Sequence, residues 1–126
     1  MDTPIHILVV DDDGDVREVL EAMLETSTYR VSAVDGGKAM REFLSTNERV
    51  DLVVLDGDMY GEKSASLADH LKGLSIPLVM ISGSPTMMKF AEANDLQLLL
   101  KPFRTADLTE AIKNAFDSGE FGQRDA

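Results

Sequence analysis

Five short apolar runs recur along the chain, and after each comes a stretch whose apolar residues return at helical spacing. The first run, Ile5 to Val10, is interrupted only by His6. Tyr29 to Val34 is weaker, with partial alternation. Leu52-Val53-Val54-Leu55 runs directly into Asp56. Leu78 to Ser82 follows Pro77, and Gln97 to Leu100 precedes Lys101-Pro102-Phe103. Apolar runs this short, bounded by turn residues, predict strands buried on both faces. The stretches between them predict helices, each with one apolar face. Val16, Val19, Leu20, Met23 and Leu24 mark the first, with Arg17, Glu18, Glu21 and Glu25 facing water. Asp13 or Asp15 is positioned to cap it, and Thr26-Ser27-Thr28 ends it. Asp35-Gly36-Gly37 forms a turn. Ala39, Met40, Phe43 and Leu44 then mark a second helix that ends near Asn47. Leu67, Leu71 and Leu74 mark a third over Ser64 to Leu74. Met87, Met88, Phe90 and Ala91 mark a short fourth, about Thr86 to Asn94. Leu108, Ala111, Ile112, Ala115 and Phe116 mark the last, capped by Thr105 and stopped by Ser118-Gly119.

Strand and helix thus alternate throughout, which implies a parallel sheet with helices on both faces. Right-handed crossovers leave few topologies. The expected fold is α/β and flavodoxin-like: a doubly wound, five-stranded sheet of order 2-1-3-4-5 with five helices. The length of 126 residues fits one domain, expected over 1–118, with a polar C-terminal tail over 119–126. No repeat, low-complexity segment or linker divides it.

Charge narrows the partners. Twelve basic against 23 acidic residues give a net charge of −11. Such a surface repels nucleic-acid phosphates and anionic lipid, so neither is an expected partner. Cysteine is absent, which excludes disulfides and thiolate metal sites. No apolar run approaches the ~18 residues of a membrane span. The N-terminus lacks a signal peptide's basic start and long apolar stretch. A cytoplasmic location is the expectation.

The candidate chemistry lies where the strands end. Asp11, Asp12 and Asp13 follow the first strand, and Asp56 ends the third. Ser82 ends the fourth and Lys101 follows the fifth. In the 2-1-3-4-5 order these are neighbouring strands, and open α/β sheets keep their ligands at that carboxyl edge. Each residue alone has an ordinary reading as a cap, an Asx turn, a loop serine or an exposed lysine. Four strand ends carrying them together point to a built site. Three carboxylates a few ångströms apart repel and cannot all stay ionised unaided. A hard divalent cation resolves this, and Mg²⁺ suits a site of few carboxylates, backbone carbonyls and waters. Asp56 could be a metal ligand, a nucleophile or both. Lys101 could stabilise charge on an incoming phosphoryl group, and Ser82 could donate to one of its oxygens.

Two competing motifs fail. An EF-hand loop needs Glu at its twelfth position. Counting from Asp56 that position is Leu67, and counting from Asp11 it is Ala22. A flavodoxin-type phosphate loop after the first strand is excluded because that loop is triply acidic and would repel phosphate. His6 and His70 stand alone and read as structural.

Taken together, Ile7-Leu8-Val9-Val10-Asp11-Asp12-Asp13, Leu52-Val53-Val54-Leu55-Asp56 and Lys101-Pro102-Phe103 resemble the receiver domain of bacterial two-component response regulators. The resemblance runs from Ile5 to about Phe116. It implies that Asp56 accepts a phosphoryl group from a histidine kinase or phosphotransfer protein. It implies that Asp12 and Asp56 bind Mg²⁺ directly, Asp11 through water, and that the main-chain carbonyl of Asp58 is a further ligand. Lys101 would contact the phosphoryl group across a cis Lys101-Pro102 peptide. Ser82 would turn inward on phosphorylation, moving the loop and helix behind it. Asp58 and Ser84 would flank the path of the attacking water and influence the lifetime of the acyl phosphate.

Several positions depart from the family pattern. Met59-Tyr60 replaces the usual Met-Pro, and the expected glycine falls on Ser64, which implies an unusual loop into the third helix. Gly57 replaces an often bulkier residue, which implies a site more open to water. Leu98 stands at the usual aromatic switch position, so the coupling must run otherwise; Met87, Met88 and Phe90 either repack to carry it or are simply core and surface residues of a short helix. No output domain is expected after Phe116. The expectation is a stand-alone receiver that signals through its helix four, strand five and helix five face, or that relays or drains phosphoryl groups. The different-class alternative is a small phosphatase resembling the haloacid dehalogenase type, with Asp56-Gly57-Asp58 as nucleophile and acid. Against it, that nucleophile normally ends the first strand, no acidic pair closely follows Lys101, and the chain has no room for a cap. A degenerate receiver used only for docking is a third reading, weakened because every chemical group is present.

Overall fold

A computed structural model describes residues 4–25, 29–59 and 63–117. Its strands are β1 (His6–Val10), β2 (Arg30–Val34), β3 (Leu52–Asp56), β4 (Leu78–Ser82) and β5 (Gln97–Leu100). They alternate with helices α1 (Gly14–Glu25), α2 (Gly37–Leu44), α3 (Ser64–Gly73), α4 (Met87–Ala93) and α5 (Thr105–Asp117). The sheet order is β2-β1-β3-β4-β5, with every pairing parallel. This is the expected flavodoxin-like fold.

The uninterrupted apolar runs are explained by burial on both faces. Every residue of β1, β3 and β4 is buried. Alternate side chains point to opposite sides of a strand, so each run feeds two cores. Ile7, Val9, Leu52, Val54, Val79 and Ile81 face α1 and α5, where Leu20, Leu24, Leu108 and Ile112 meet them. Leu8, Val10, Val53, Leu55 and Met80 face α2 and α3, where Met40, Leu67 and Leu71 meet them. Each fully buried aliphatic side chain contributes about 1.5–3 kcal/mol.

Register carries the strand ends to one edge. Val10 is level with Leu55 across β1 and β3, Asp56 with Ile81 across β3 and β4, and Ser82 with Leu100 across β4 and β5. Asp11, Asp56, Ser82 and Lys101 therefore emerge together.

Some expectations are corrected. Val19 is 53% exposed and Leu74 49%. Val19 sits on the flank of the α1 apolar stripe, and Leu74 lies past the last turn of α3. Met88 faces outward too, while Met87 and Phe90 pack against the core. The last helix begins at Thr105 rather than after it, and Asp107 supplies the cap by accepting from the Arg104 N–H at 2.9 Å. α1 is capped by Asp13, whose Oδ1 accepts from the N–H groups of Asp15 and Val16 at 2.9 and 3.3 Å. The expected helix end at Thr26-Ser27-Thr28 and the 119–126 tail lie outside the described residues, as do Tyr60 and Gly61.

Candidate functional site

The acidic edge is built from two similar turns. Asp11 follows β1 and is 2% exposed, and Asp56 ends β3 and is 5% exposed. In each, one carboxylate oxygen accepts from the backbone N–H two residues on: Asp13 to Asp11 and Asp58 to Asp56, both at 2.9 Å. These local bonds explain why aspartate stands at both strand ends. Its short side chain folds onto its own turn and leaves a second oxygen for other work. Asp11, Asp12 and Asp56 each offer a carboxylate oxygen, and these lie within 4.8 Å of one another. Asp12 is exposed, so the cluster opens to solvent on one side.

This arrangement strains the charges. Burial, then the facing Asp56 carboxylate, raise the Asp11 pKa from 3.8 to about 6, against the lowering pull of the Asp13 N–H and Lys101. The only cation in contact with Asp56 among the described ion pairs is Lys101, with Nζ 3.7 Å from Asp56 Oδ1. An all-oxygen donor set with excess negative charge fits a hard divalent cation, and Mg²⁺ in particular.

Asp58 takes no part in the three-carboxylate cluster. Its side chain faces the other strand ends. Ser82 Oγ donates to Asp58 Oδ1 at 2.6 Å, the Gly83 N–H donates to Oδ2 at 2.8 Å, and Lys101 Nζ lies 3.8 Å from Oδ2. Partial burial pushes the Asp58 pKa up, but the Gly83, Ser82 and Lys101 interactions together bring it below the usual carboxylate value. Ser82 is fully buried, so an inward turn would not start from an exposed position. The Lys101-Pro102 peptide is cis, as the resemblance implied.

Two contributors lie outside the sequence expectations. Arg17, expected to face water, donates from Nη1 to the carbonyl of Asp11 at 2.8 Å. Ser64 is buried, and its hydroxyl donates to the carbonyl of Asp56 at 3.0 Å. The Asp58 carboxylate, expected to flank the path of the attacking water, is held by the Ser82 hydroxyl and the Gly83 N–H. A serine opening a helix just after the acidic strand end was the available signal for Ser64. Gly57 does not open the site. A Cβ there would lie 3.1 Å from Met80 Cγ and 3.3 Å from the Ile81 carbonyl oxygen, so close strand packing occupies the space. Met87 and Phe90 line a cleft of about 290 Å³ beside Gly57 and Ser64, which puts the α4 side chains near the site.

His6 is structural. Nδ1 contacts the Arg49 carbonyl and Nε2 the Ser32 hydroxyl, both at 2.7 Å. Since a carbonyl only accepts, Nδ1 carries the hydrogen. No described helix is long and apolar enough to cross a membrane.

Residues 7–113 match the model of the response regulator receiver domain family. The two-component response regulator ORR7 of Oryza sativa subsp. japonica is 34% identical over 111 residues, covering 82% of this chain and 53% of that protein. ORR11 of Oryza sativa subsp. indica, also a two-component response regulator, is 33% identical over 113 residues, covering 84% and 77%. The chain spans about half the length of the first of these relatives. A crystal structure of a CheY-like response regulator receiver domain protein from Methanospirillum hungatei JF-1 shares the fold. Its TM-score is 0.81 at 23% identity, with 97% of this chain and 99% of that one covered.

Proposed function

The chain belongs to the response regulator receiver domain family, and from that premise we propose that Asp56 is its phosphoacceptor. The observation that carries this reading is the meeting of a buried Asp56 with Asp11, Asp12 and Lys101 on one sheet edge. The carboxylates of Asp11, Asp12 and Asp56, with the main-chain carbonyl of Asp58, would hold Mg²⁺. That ion supplies positive charge against phosphoryl oxygens.

The chain's own groups perform the rest. The Asp58 N–H fixes one Asp56 oxygen, leaving the other to attack phosphorus. The new bond joins that oxygen to phosphorus while the phosphorus–nitrogen bond of a phosphohistidine donor breaks. The imidazole leaves with the electron pair and takes a proton from solvent. Lys101, beside Asp56, balances charge gathering on the phosphoryl oxygens, and Ser82 donates a hydrogen bond to one of them. Hydrolysis of the acyl phosphate resets the protein.

The donor is a histidine kinase or histidine phosphotransfer protein. The domain spans 1–118 and works as a regulatory phosphoacceptor in the cytoplasm, catalysing only its own phosphorylation and dephosphorylation. It signals by protein contact through α4, β5 and α5, or relays phosphoryl groups. Neither nucleic acid nor membrane is its partner, in keeping with a charge of −11. The phosphatase reading is not favoured, because Asp56 ends β3 of a receiver-type sheet, with a complete acidic βαβ unit before it.

Intact mass after incubation with acetyl phosphate tests the proposal. One phosphoryl adduct is expected, dependent on Mg²⁺ and lost in Asp56→Asn. Steady phosphate release from a generic ester without an adduct would favour the phosphatase.

A further inference from the structure

Ser82 and Lys101, which would meet a phosphoryl group on Asp56, already face an anion, and the neighbouring Gly83 N–H faces the same one. The Ser82 hydroxyl points at Asp58 Oδ1 and the Gly83 N–H at Asp58 Oδ2, at 2.6 and 2.8 Å. Lys101 Nζ stands between two carboxylates, 3.7 Å from Asp56 and 3.8 Å from Asp58. A hydroxyl, a backbone N–H and an ammonium thus converge on a single anionic side chain, two residues from the acceptor. The Asp58 carboxylate is planar and carries one charge, whereas a phosphoryl group carries more charge and three terminal oxygens. The donor set is nonetheless one that either would satisfy.

We propose that the Asp58 carboxylate is a built-in stand-in for the phosphoryl group, holding Ser82, Gly83 and Lys101 until phosphorylation of Asp56 displaces it. The proposal rests on Asp56 being the phosphoacceptor. It adds that phosphorylation is an exchange of one anion for another on the same donors. The loop after β4 is thereby ordered in the unphosphorylated protein, and the change that partners read includes the release of Asp58. Two effects of Asp58 act in the same direction. Its hydrogen bonds must break before the phosphoryl oxygens can take the donors, and its charge repels the incoming anion. Because Asp58 is partly exposed, with a side chain 36% accessible, its carboxylate has solvent to turn into once released.

The test compares wild type with Asp58→Ala and Asp58→Asn, using beryllium fluoride with Mg²⁺ as the probe. This complex bonds to a carboxylate oxygen as a phosphoryl group does. Asp58→Ala should bind it about tenfold more tightly or better, the factor expected from releasing one charge-assisted hydrogen bond. Asp58→Asn keeps an acceptor for Ser82 but loses the charge, and should fall between. The Gly83 amide proton gives a readout that general destabilisation would not reproduce. It should move upfield in free Asp58→Ala and return downfield when the probe binds, while staying downfield throughout in wild type. The spectrum of each free variant confirms that it is folded. Equal or weaker probe binding by folded Asp58→Ala overturns the stand-in while leaving Asp56 as acceptor. Failure of every form to bind, wild type included, overturns both readings. Binding that persists in Asp56→Asn shows that the probe is not at the acceptor, and it overturns both as well.

Discussion

Asp11 is the residue at which the site's electrostatics are most exposed to measurement. Its pKa rises from 3.8 to about 6, chiefly through burial, with Asp56 adding repulsion. The folded protein therefore binds this proton more tightly than the unfolded chain does. Stability is gained as pH falls through about 6 toward about 4, and is absent above that window. Asp58 and Glu48 have lowered pKa values, so their contributions are lost only at more acidic pH. In metal-free buffer the melting temperature should rise between about pH 7 and about pH 5. Asp11→Asn should flatten that rise and stabilise the protein at neutral pH, by roughly 1–3 kcal/mol. Added Mg²⁺ should raise the wild-type melting temperature at neutral pH and do less for the variant. A melting temperature that falls steadily on acidification would contradict this. Ser64 offers a second residue-level check. Removing its buried hydroxyl in Ser64→Ala should cost about 1 kcal/mol in denaturant unfolding, because the Asp56 carbonyl loses a donor. The acidic residues were legible in the sequence because aspartate after an apolar run is an unusual place to put charge. Ser64 and Arg17 were not, because their roles depend on what lies across a loop.

At the scale of elements, the strands were more legible than the helix ends. A run such as Leu52–Leu55 is readable because burial on both faces demands unbroken apolarity. Helix ends depend on single hydrogen bonds that several residues could make. α5 illustrates this: its start is closed by Asp107 reaching back to the Arg104 N–H, not by the Thr105 hydroxyl reaching forward. α3 and α4 both close in the same way, with a residue other than glycine at positive φ. Ser75 and Asp95 have φ of 58° and 55°. In α3 the N–H groups of Ser75 and Ile76 bond to the carbonyls of Lys72 and Leu71. In α4 those of Asp95 and Leu96 bond to Glu92 and Ala91. This is the left-handed closing turn that glycine usually makes, and the expected ends, Leu74 and Asn94, are the residues that cap the two helices. Ser75→Gly should therefore stabilise the protein, by about 0.5–1 kcal/mol in thermal or denaturant unfolding, since the side chain costs strain at positive φ. Asp13→Ala should act the other way. Its carboxylate closes the start of α1, and losing such a cap costs about 1 kcal/mol.

For the whole molecule, the order β2-β1-β3-β4-β5 gathers chemistry that the sequence spreads over about ninety residues. It was legible because strand and helix alternate without exception and parallel connections have one handedness. The two cores, α1 with α5 and α2 with α3, hold β1, β3 and β4 rigidly. The site sits where those strands stop. The central claim is that this edge makes Asp56, and no other carboxylate, the acceptor. Borohydride reduction of protein treated with acetyl phosphate and Mg²⁺, followed by peptide sequencing, measures that directly, because reduction converts an aspartyl phosphate to homoserine. The expected result is homoserine at position 56 alone, absent without Mg²⁺. Homoserine at position 11, 12 or 58, or a phosphoryl adduct that yields none, would contradict it.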